Sequence, residues 1–435
     1  MPLLFRTRAR VCIGVLALLA GTRLTAQQQP PADALDGGFD PAPAVDGFAP
    51  WLVPSVDRLM RDAIARGVAP GAAVVIGHRG KILLARGYGR TDLARDAPAA
   101  TEQTLWDLAS VTKVAATTVG AMLLVQDGAL DLDAPVGHYL AEWPVDGPRA
   151  CITVRDLFRH TSGLPAGAPV GRGGPDGLID RLARVPLRAE PGEDEHYGDL
   201  DMVLLGAVIE RVAGEPLDQL LERRVYRRLG MTESVFRPLE SGVSIDRIAP
   251  TEMVRGRLIH GLVHDPIARD LGGVSGNAGL FASAHDLGVL ASALLWETPD
   301  RVVCREVVRQ FTRPDQGARY ALGWETAAPG SWWGEIFDRF AFGHVGYTGT
   351  SLWIDPTNDV FVVLLTNRVN PSAKNQRHLA LRGALHQTVE RGLADIGLNA
   401  PPPAPVRDGC AANRAAEALR FTDAVRSLPP VRWLH

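Results

Sequence analysis

Residues 105–126 read LWDLASVTKVAATTVGAMLLVQ, a loop that leads into a long and mostly apolar segment. Because the segment has no polar face, we expect a helix that is buried on all sides. Ser110 and Lys113 fall in the first turn of this predicted helix. Side chains three residues apart project from nearly the same helix face, so this hydroxyl and this amine are expected to share a proton.

The lysine of this pair stands out against the composition of the chain. Of 46 basic residues only three are lysines, Lys81, Lys113 and Lys374, and the others are arginines. A serine hydroxyl is a poor nucleophile until a base takes its proton. A buried lysine can act as that base, whereas an arginine stays protonated. We therefore predict Ser110 as a nucleophile and Lys113 as the group that accepts its proton.

A phenol and a carboxylate stand at the start of the next strongly apolar helix. Tyr197 and Asp199 directly follow the polar run at 193–196. Tyr197 could pass a proton to a leaving group, and Asp199 could orient Lys113 or hydrogen-bond a substrate. The alternative is that Asp199 is an ordinary helix N-cap and Tyr197 a packing residue.

A third group of polar residues precedes a predicted strand near the other end of the chain. His344, Gly346 and Tyr347 lie where this strand is expected to begin along a cleft. Glycine lets a substrate approach the backbone, and the amides of Tyr347 and Ser110 could together hold an oxyanion. Each such donor typically stabilises a transition state by about 3 kcal/mol. The alternative for His344 is a purely structural histidine.

Two hairpins lie on either side of these motifs. Residues 71–90 predict two strands joined by a tight turn at 78–80. Residues 350–368 predict two more strands, with a turn at 356–359. We expect both hairpins to join one antiparallel sheet that is built from the two ends of the chain.

Helices complete the predicted architecture. Apolar residues recur at helical spacing over 56–68, a last helix is expected over 372–391, and the region from about 125 to 300 is largely helical. The sequence therefore predicts an α/β fold of the α+β sandwich type, in which helices flank the antiparallel sheet and an all-helical lobe is inserted. The cleft between sheet and lobe is the expected binding site.

The ends of the chain have the composition of targeting and linker segments. In residues 1–26, Arg6, Arg8 and Arg10 precede an apolar run and a small-residue cleavage site, which indicates a signal peptide and a periplasmic or secreted protein. An uncleaved membrane anchor is the alternative. Residues 27–50 predict a flexible leader, 51–395 a single catalytic domain, and 396–435 a loosely attached tail.

Composition excludes several classes of function. A net charge of −3 with mixed signs gives no basic face, so nucleic acid is not expected as a partner. Neither the histidines nor the cysteines have metal-ligand spacing, and we predict no metal and no organic cofactor. Cys151, Cys304 and Cys410 are expected to be buried structural thiols, with one disulfide as the alternative. There is no GxSxG elbow and no P-loop, and the loop that begins at His160 looks like a structural fastener.

The three motifs Ser110-x-x-Lys113, Tyr197-x-Asp199 and His344-x-Gly346 stand in the order found in the serine β-lactamase and penicillin-binding-protein superfamily, which this chain resembles. The nearest branch is the class C β-lactamase-related group, with its D-alanyl-D-alanine carboxypeptidases and esterases. The resemblance covers residues 52 to about 392. It extends to TVRDLFRHTSGLP at 153–165, AGEPLDQLLERRVYRRLGMTESVF at 213–236 and GGVSGNAGLF at 272–281.

This resemblance implies a β-lactamase/transpeptidase-like fold and a role for each motif. Ser110 would be acylated, Lys113 would be its base or proton relay, and Tyr197 would protonate the leaving group and activate water. The backbone amides of Ser110 and Tyr347 would form the oxyanion hole.

Two positions depart from the family pattern. The chain has Asp199 where asparagine is commoner and His344 where lysine is commoner. The Asp199 charge is expected to raise the pKa of Lys113. His344 is expected to be partly charged near pH 7 and to hold a substrate carboxylate weakly.

Together these observations predict an exported serine hydrolase that cleaves an ester or amide bond through an acyl-enzyme. The expected substrate is a small molecule or a peptidoglycan-derived peptide, and carboxypeptidase or esterase activity is favoured over efficient β-lactam hydrolysis. One alternative is a penicillin-recognising sensor that is acylated without turnover, and another is an inactive scaffold. No stable membrane span is expected after signal cleavage, and the sequence does not specify an oligomeric state.

Overall fold

The computed structural model describes residues 49–296, 301–315, 317–328, 333 and 336–394. The predicted signal peptide, nearly all of the predicted leader and the predicted C-terminal tail lie outside the described residues. The division of the chain at these points stays a prediction.

A six-stranded antiparallel sheet draws strands from both ends of the described chain, as predicted. Its order is β2–β1–β11–β10–β9–β8. The bounds are β1 Gly71–His78, β2 Lys81–Gly89, β8 Glu325–Thr326, β9 Phe342–Val345, β10 Ser351–Asp355 and β11 Val360–Thr366. The two hairpins meet where β1 pairs with β11, from Ala72 opposite Thr366 to His78 opposite Val360.

Both predicted turns are confirmed, and local chemistry explains them. Arg79 and Gly80 both have positive φ angles, which suits a two-residue hairpin loop. In the turn between β10 and β11, the Asp355 carboxylate accepts the backbone N–H groups of Thr357 at 2.9 Å and Asn358 at 3.2 Å. A short acidic side chain therefore organises this second turn.

Helices cover both faces of the sheet. α1 (Leu52–Ala65) and α12 (His378–Ala394) pack against the side chains of Val74 and Val362 on one face. Val75 and Val363 point to the opposite face, which α10 (Ala284–Leu295) helps to cover. Because alternate side chains point to opposite faces, a sheet covered on both sides explains why its strands are almost continuously apolar.

The last helix begins later than predicted, at His378 rather than at residue 372. The preceding segment makes other hydrogen bonds. The carbonyl groups of Ala373 and Asn375 accept from Arg368, and the Ala373 N–H donates to Glu252. These contacts hold the backbone outside the helix.

The inserted lobe is mainly helical, with α6 at its centre. Its helices include α3 Val136–Tyr139, α4 Val154–Arg159, α5 Leu178–Ala183, α6 Asp199–Ala213, α7 Leu217–Leu221, α8 Arg227–Leu229 and α9 Pro266–Asp270. Helix α2 (Val119–Gln126) leads into the lobe, and α11 (Arg305–Thr312) follows it in the chain.

The prediction of an all-helical lobe is wrong in detail. Five short strands occur near or within it: β3 Trp106–Asp107, β4 Ser234–Phe236, β5 Met253–Val254, β6 Arg257–Leu258 and β7 Leu280–Ala282. They form a three-stranded sheet, β3–β7–β4, and a two-stranded one, β5–β6. Strands of two or three residues are too short to show an alternating pattern in the sequence.

The segment that carries Ser110 and Lys113 is buried on all sides, as predicted. It begins as a 3₁₀ turn at Ala109–Val111, continues as a π-helix at Lys113–Thr118 and ends in α2. Among the described residues, Ala109–Gln126 meets the length and hydropathy of a membrane span, but 83% of this stretch is buried inside the protein. It is the core helix of the domain.

The cysteines differ from the predicted set of buried thiols. Cys151 is a free and exposed thiol, and Cys304 is disulfide-bonded. Cys410 lies outside the described residues. Their neighbours in sequence are apolar, but a short-range apolar pattern does not fix how a side chain is placed in the fold.

Candidate active site

Ser110 lies in a tight turn that is held by a buried carboxylate. Ala109, directly before it, has a φ of 47°, which is uncommon for a residue other than glycine. The Asp107 carboxylate accepts the backbone N–H of Ala109 at 2.9 Å and that of His264 at 2.6 Å. These two hydrogen bonds to one buried side chain fix the strained turn.

The amine of Lys113 is fully buried and surrounded by oxygen atoms. Its Nζ donates to Ser110 Oγ at 2.9 Å, to Asp199 Oδ1 at 2.6 Å and to the Asn277 carbonyl oxygen at 3.1 Å. The side chain has no exposed surface. The structure therefore brings together the hydroxyl and the amine that the sequence paired.

The charge state of Lys113 is set by two opposing effects. Burial disfavours the ammonium form, but the Asp199 carboxylate, the Tyr197 phenol and hydrogen bonds to both outweigh it and raise the pKa of Lys113. The ammonium is therefore the resting form. This agrees with the direction expected from an aspartate at position 199.

Asp199 is the first residue of α6, and Gly198 is the N-cap. The reading of Asp199 as an ordinary N-cap is therefore wrong, because its carboxylate bonds to Lys113. The Asp199 side chain is 31% exposed, whereas the Lys113 side chain that it contacts has no exposed surface.

Tyr197 lies directly over the amine, within an aromatic cluster. Lys113 Nζ is 5.2 Å from the Tyr197 ring centroid. Tyr320 stacks on the Tyr197 ring at 5.5 Å, and His160 meets it edge-on at 4.9 Å. These contacts fix the phenol at the edge of the cleft.

His344 lies close to this cluster, 5.8 Å from the Tyr197 ring centroid. It is near the end of β9, and not where a strand begins. The side chain is buried, and its Nδ1 lies 2.8 Å from the Val345 carbonyl oxygen. Burial, and next the positive charge of Lys113, lower the pKa of His344 to about 3. The prediction of a partly charged histidine is wrong, because aromatic residues from distant segments exclude water from the ring.

The turn that carries Gly346 and Tyr347 lies against the turn before Ser110. The Thr348 hydroxyl donates to the Asp107 carbonyl oxygen at 2.7 Å, and the Thr350 hydroxyl donates to that of Leu108 at 2.8 Å. A Cβ on Gly346 would lie 2.4 Å from the Leu108 oxygen. Only glycine allows this close approach, which brings the turn of Gly346 and Tyr347 against the turn before Ser110.

Sequence reasoning missed the residues that support the motifs. His160, interpreted as part of a loop fastener, is buried behind Tyr197, and its Nδ1 lies 3.0 Å from Asp201 Oδ2. Ser162 Oγ donates to the same carboxylate. In the sequence, the polar residues at 160–163 beside an apolar helix are the only sign of these supporting residues. Their hydrogen bonds to Asp201 of α6 can be seen only in the folded structure.

Within the described residues, no three His, Cys, Asp or Glu side chains are grouped as a metal site. The polar residues of the cleft are instead arranged around one hydroxyl, one amine and one phenol. This set can activate a nucleophile and move protons without further groups.

Comparisons with known proteins agree with this arrangement. The family model described as Beta-lactamase matches residues 56–386. A protein of Escherichia coli O157:H7 named "Putative D-alanyl-D-alanine carboxypeptidase" is 32% identical over 379 residues, which is 78% of this chain and 87% of that protein.

Two solved structures have the same overall architecture. EstCE1, described as a hydrolase with promiscuous acyltransferase activity, aligns with a TM-score of 0.64 at 23% identity over 78% of this chain and 98% of that one. A class C β-lactamase from Rhodobacter sphaeroides aligns with a TM-score of 0.60 at 21% identity over 78% and 99%. At these identities the likeness concerns the fold alone.

Proposed function

We propose that this chain, which belongs to the Beta-lactamase family and is a serine hydrolase of that family, cleaves an ester or amide bond through an acyl-enzyme on Ser110. The observation that carries this proposal is the 2.9 Å contact between Ser110 Oγ and Lys113 Nζ at the edge of the cleft that Tyr197 enters. Such a contact holds a nucleophile beside the group that controls its proton.

The protonation of Lys113 suggests which residue moves the protons in acylation and in deacylation. Because Asp199 keeps the amine charged, we assign the acceptance of the Ser110 proton to the oxygen of Tyr197, acting as a phenolate. The Lys113 ammonium donates to Ser110 Oγ at 2.9 Å and lies 5.2 Å from the Tyr197 ring centroid, so its charge stabilises the negative charge that passes between the two oxygens. Ser110 Oγ then bonds to the substrate carbonyl carbon, and Tyr197 returns the proton to the leaving group. In the second half, Tyr197 takes a proton from water, whose oxygen bonds to the acyl carbon. The bond from that carbon to Ser110 Oγ then breaks, Tyr197 returns the proton to Ser110 Oγ, and the acid is released.

The charges in the cleft favour an uncharged substrate. His344 is neutral, and the positive charge of Lys113 is compensated by Asp199 at 2.6 Å. Arg319 pairs with Glu325 at 2.9 Å. These groups give little attraction for a substrate carboxylate, so we propose small esters and amides as the better substrates and β-lactams as poor ones. The name of the Escherichia coli relative supports D-alanyl peptides as further candidates.

A substrate panel tests the proposal. The protein is assayed with p-nitrophenyl esters, D-Ala-D-Ala peptides and nitrocefin, and Ser110→Ala serves as control. We expect turnover of an ester or a peptide, slower hydrolysis of nitrocefin, and a loss of kcat of about 10³-fold or more in the variant. A folded wild type that hydrolyses none of them would contradict the proposal.

A sensor that is acylated without turnover is the second candidate. The observation that favours it is the charged state of Lys113, because an amine held as ammonium cannot itself take a proton from the deacylating water. A stoichiometric burst of product with no steady-state phase would support the sensor, and continued turnover would exclude it.

The proposed location is the periplasm or the exterior of the cell, reached through the signal peptide at residues 1–26. The mass of the mature protein, purified from an expressing bacterium, tests this. Removal of about 26 residues supports export, and an intact N-terminus contradicts it.

A further inference from the structure

We propose that Arg368 is a positioning residue that fixes the Tyr347 peptide as an oxyanion donor, an inference that rests on the proposed function. Oxyanion donors stabilise a transition state only if they are held in place before the reaction.

Arg368 contacts this turn with its backbone and with its side chain. Its Nε donates to the Tyr347 carbonyl oxygen at 2.8 Å, and its backbone N–H donates to the Thr348 carbonyl oxygen at 3.0 Å. The guanidinium carbon also lies 4.6 Å from the Tyr347 ring centroid. One arginine therefore holds both the carbonyl group and the ring of residue 347, and through them it fixes the Cα to which the donor N–H of the same residue is attached.

The guanidinium is itself anchored. Its Nη1 donates to the carbonyl oxygens of Ala373 at 2.6 Å and Asn375 at 3.0 Å, which lie in the non-helical segment before α12. Arg368 as a whole is 2% exposed. The non-helical segment before α12 thus acts as a fixed support for the arginine.

A second ring contact ties Tyr347 to the nucleophile turn. The His264 ring stacks on the Tyr347 ring at 5.5 Å with an interplanar angle of 24°. The backbone N–H of His264 donates to the Asp107 carboxylate, which also holds Ala109. The position of Tyr347 is therefore coupled to that of Ser110 through side-chain stacking as well as through the threonine hydroxyls.

Exposure shows why the turn needs such a clamp. Tyr347 is 53% exposed, so burial alone does not immobilise its side chain. An arginine can hold it because a planar guanidinium stacks on a ring and donates in several fixed directions at once. A lysine at position 368 would keep the charge but could not make these contacts together.

The test compares Arg368→Lys with Arg377→Lys, the same substitution at an exposed arginine of the same segment. For a p-nitrophenyl ester we expect kcat to fall about 10-fold in Arg368→Lys, with KM changed less than about twofold, because part of the oxyanion stabilisation is lost. Arg377→Lys should match the wild type.

A thionoester of the same acid provides a readout that a merely structural role would not move. Its sulfur fits poorly in a well-formed oxyanion hole, so the wild type should prefer the oxygen ester strongly, and Arg368→Lys should show a lower ester-to-thionoester rate ratio. An unchanged ratio in a folded Arg368→Lys variant, or an equal fall in Arg377→Lys, would overturn the proposal.

A second pair of variants covers the case in which Arg368→Lys does not fold. Tyr347→Phe keeps the ring and Tyr347→Ala removes it, while both keep the backbone N–H. We expect the rate ratio to fall only in Tyr347→Ala, and equal ratios in the two variants would contradict the clamp.

Failure of the proposed function is distinguishable from failure of the clamp. If the wild type hydrolyses none of the panel substrates, the proposed function is refuted, and the clamp is then judged from the rate at which a fluorophosphonate labels Ser110. The phosphoryl oxygen of this reagent needs the same donors, so slower labelling of Arg368→Lys supports the clamp and an equal rate refutes it.

Discussion

At the residue scale, Asp199 decides the charge of the central amine. A buried lysine with no carboxylate beside it would lose its proton easily, because burial disfavours the charged form. Here the carboxylate lies 2.6 Å from Nζ and reverses that effect. The positive charge is then available to stabilise an oxygen anion on Ser110 or Tyr197.

Replacing this carboxylate should change the pH profile. In Asp199→Asn burial is no longer opposed, so the pKa of Lys113 should fall and the ammonium should be lost at a lower pH. We expect the alkaline limb of kcat/KM against pH to move to lower pH. Glu193→Gln, which removes an exposed carboxylate from the same loop, is the control. An alkaline limb that does not move in Asp199→Asn would exclude the ammonium as the working form.

The residues that carry the chemistry could be predicted, but their environment could not. Ser110 and Lys113 were identifiable because they are close in sequence and share one helix face. The burial of His344 depends on Tyr197 and Tyr320, which come from other segments. No local pattern at residue 344 distinguishes a neutral ring from a charged one.

At the scale of elements, the contact between two turns determines whether the site forms. The turn at 346–350 and the turn before Ser110 meet through two threonine hydroxyls and through the missing side chain of Gly346. A Cβ at this position would lie 2.0 Å from Thr350 Oγ1 and 2.4 Å from the Leu108 carbonyl oxygen.

Gly346→Ala should therefore separate the two turns. We expect kcat to fall by more than about 10-fold, because the amide of Tyr347 would move away from that of Ser110. Gly137→Ala in α3 is the matched control, since its added Cβ would meet only the Pro144 carbonyl oxygen at 4.0 Å. Steady-state kinetics of both variants, with thermal unfolding as a check on folding, decide the matter. Wild-type kcat in Gly346→Ala would show that the two turns need not touch.

The helices and long strands were predictable where the apolar pattern was long and regular, as in α1, β1 and β11. The short strands β3, β4 and β7 were not, because two or three residues give no periodic signal. The start of α12 was also missed. There, tertiary hydrogen bonds from Arg368 and Glu252 compete with helix formation.

At the scale of the whole molecule, the two-sided burial of the sheet explains how the chain ends come together. β1 and β11 are apolar along their whole length and need a partner on each side, so two distant hairpins join into one sheet. This much follows from sequence. The extra edge strand β8 does not, because it has only two residues.

The burial of neutral histidines should also lower the free energy of unfolding in acid. Burial lowers the pKa values of His344, His378 and His386 to about 3. Below about pH 6.5 the unfolded chain binds protons that the folded protein does not, so the free energy of unfolding falls as pH decreases towards 3. Burial also raises the pKa of Glu390 to about 8, and it raises the pKa values of other buried carboxyls, namely Asp107, Asp201, Glu210, Glu325, Asp355 and Asp359. These groups bind protons more readily in the folded protein, so they act in the opposite sense.

We expect the buried histidines to lower the midpoint of thermal unfolding between pH 7 and pH 5, against the opposite effect of the buried carboxyls. His386→Phe should reduce this drop, because the ring is fully buried and packs edge-on against Trp333 and Phe337. His138→Phe, at an exposed position, should leave it unchanged. An equal dependence of the midpoint on pH in His386→Phe and the wild type would contradict the assignment of a buried neutral ring at His386.

The most direct test of the mechanism is the covalent labelling of Ser110. The wild type and Ser110→Ala are incubated with a fluorophosphonate, and the site of modification is located by peptide mass spectrometry. The account predicts one adduct on Ser110 in the wild type and none in the variant. A folded wild type that stays unmodified, or that is modified only at another residue, would contradict it.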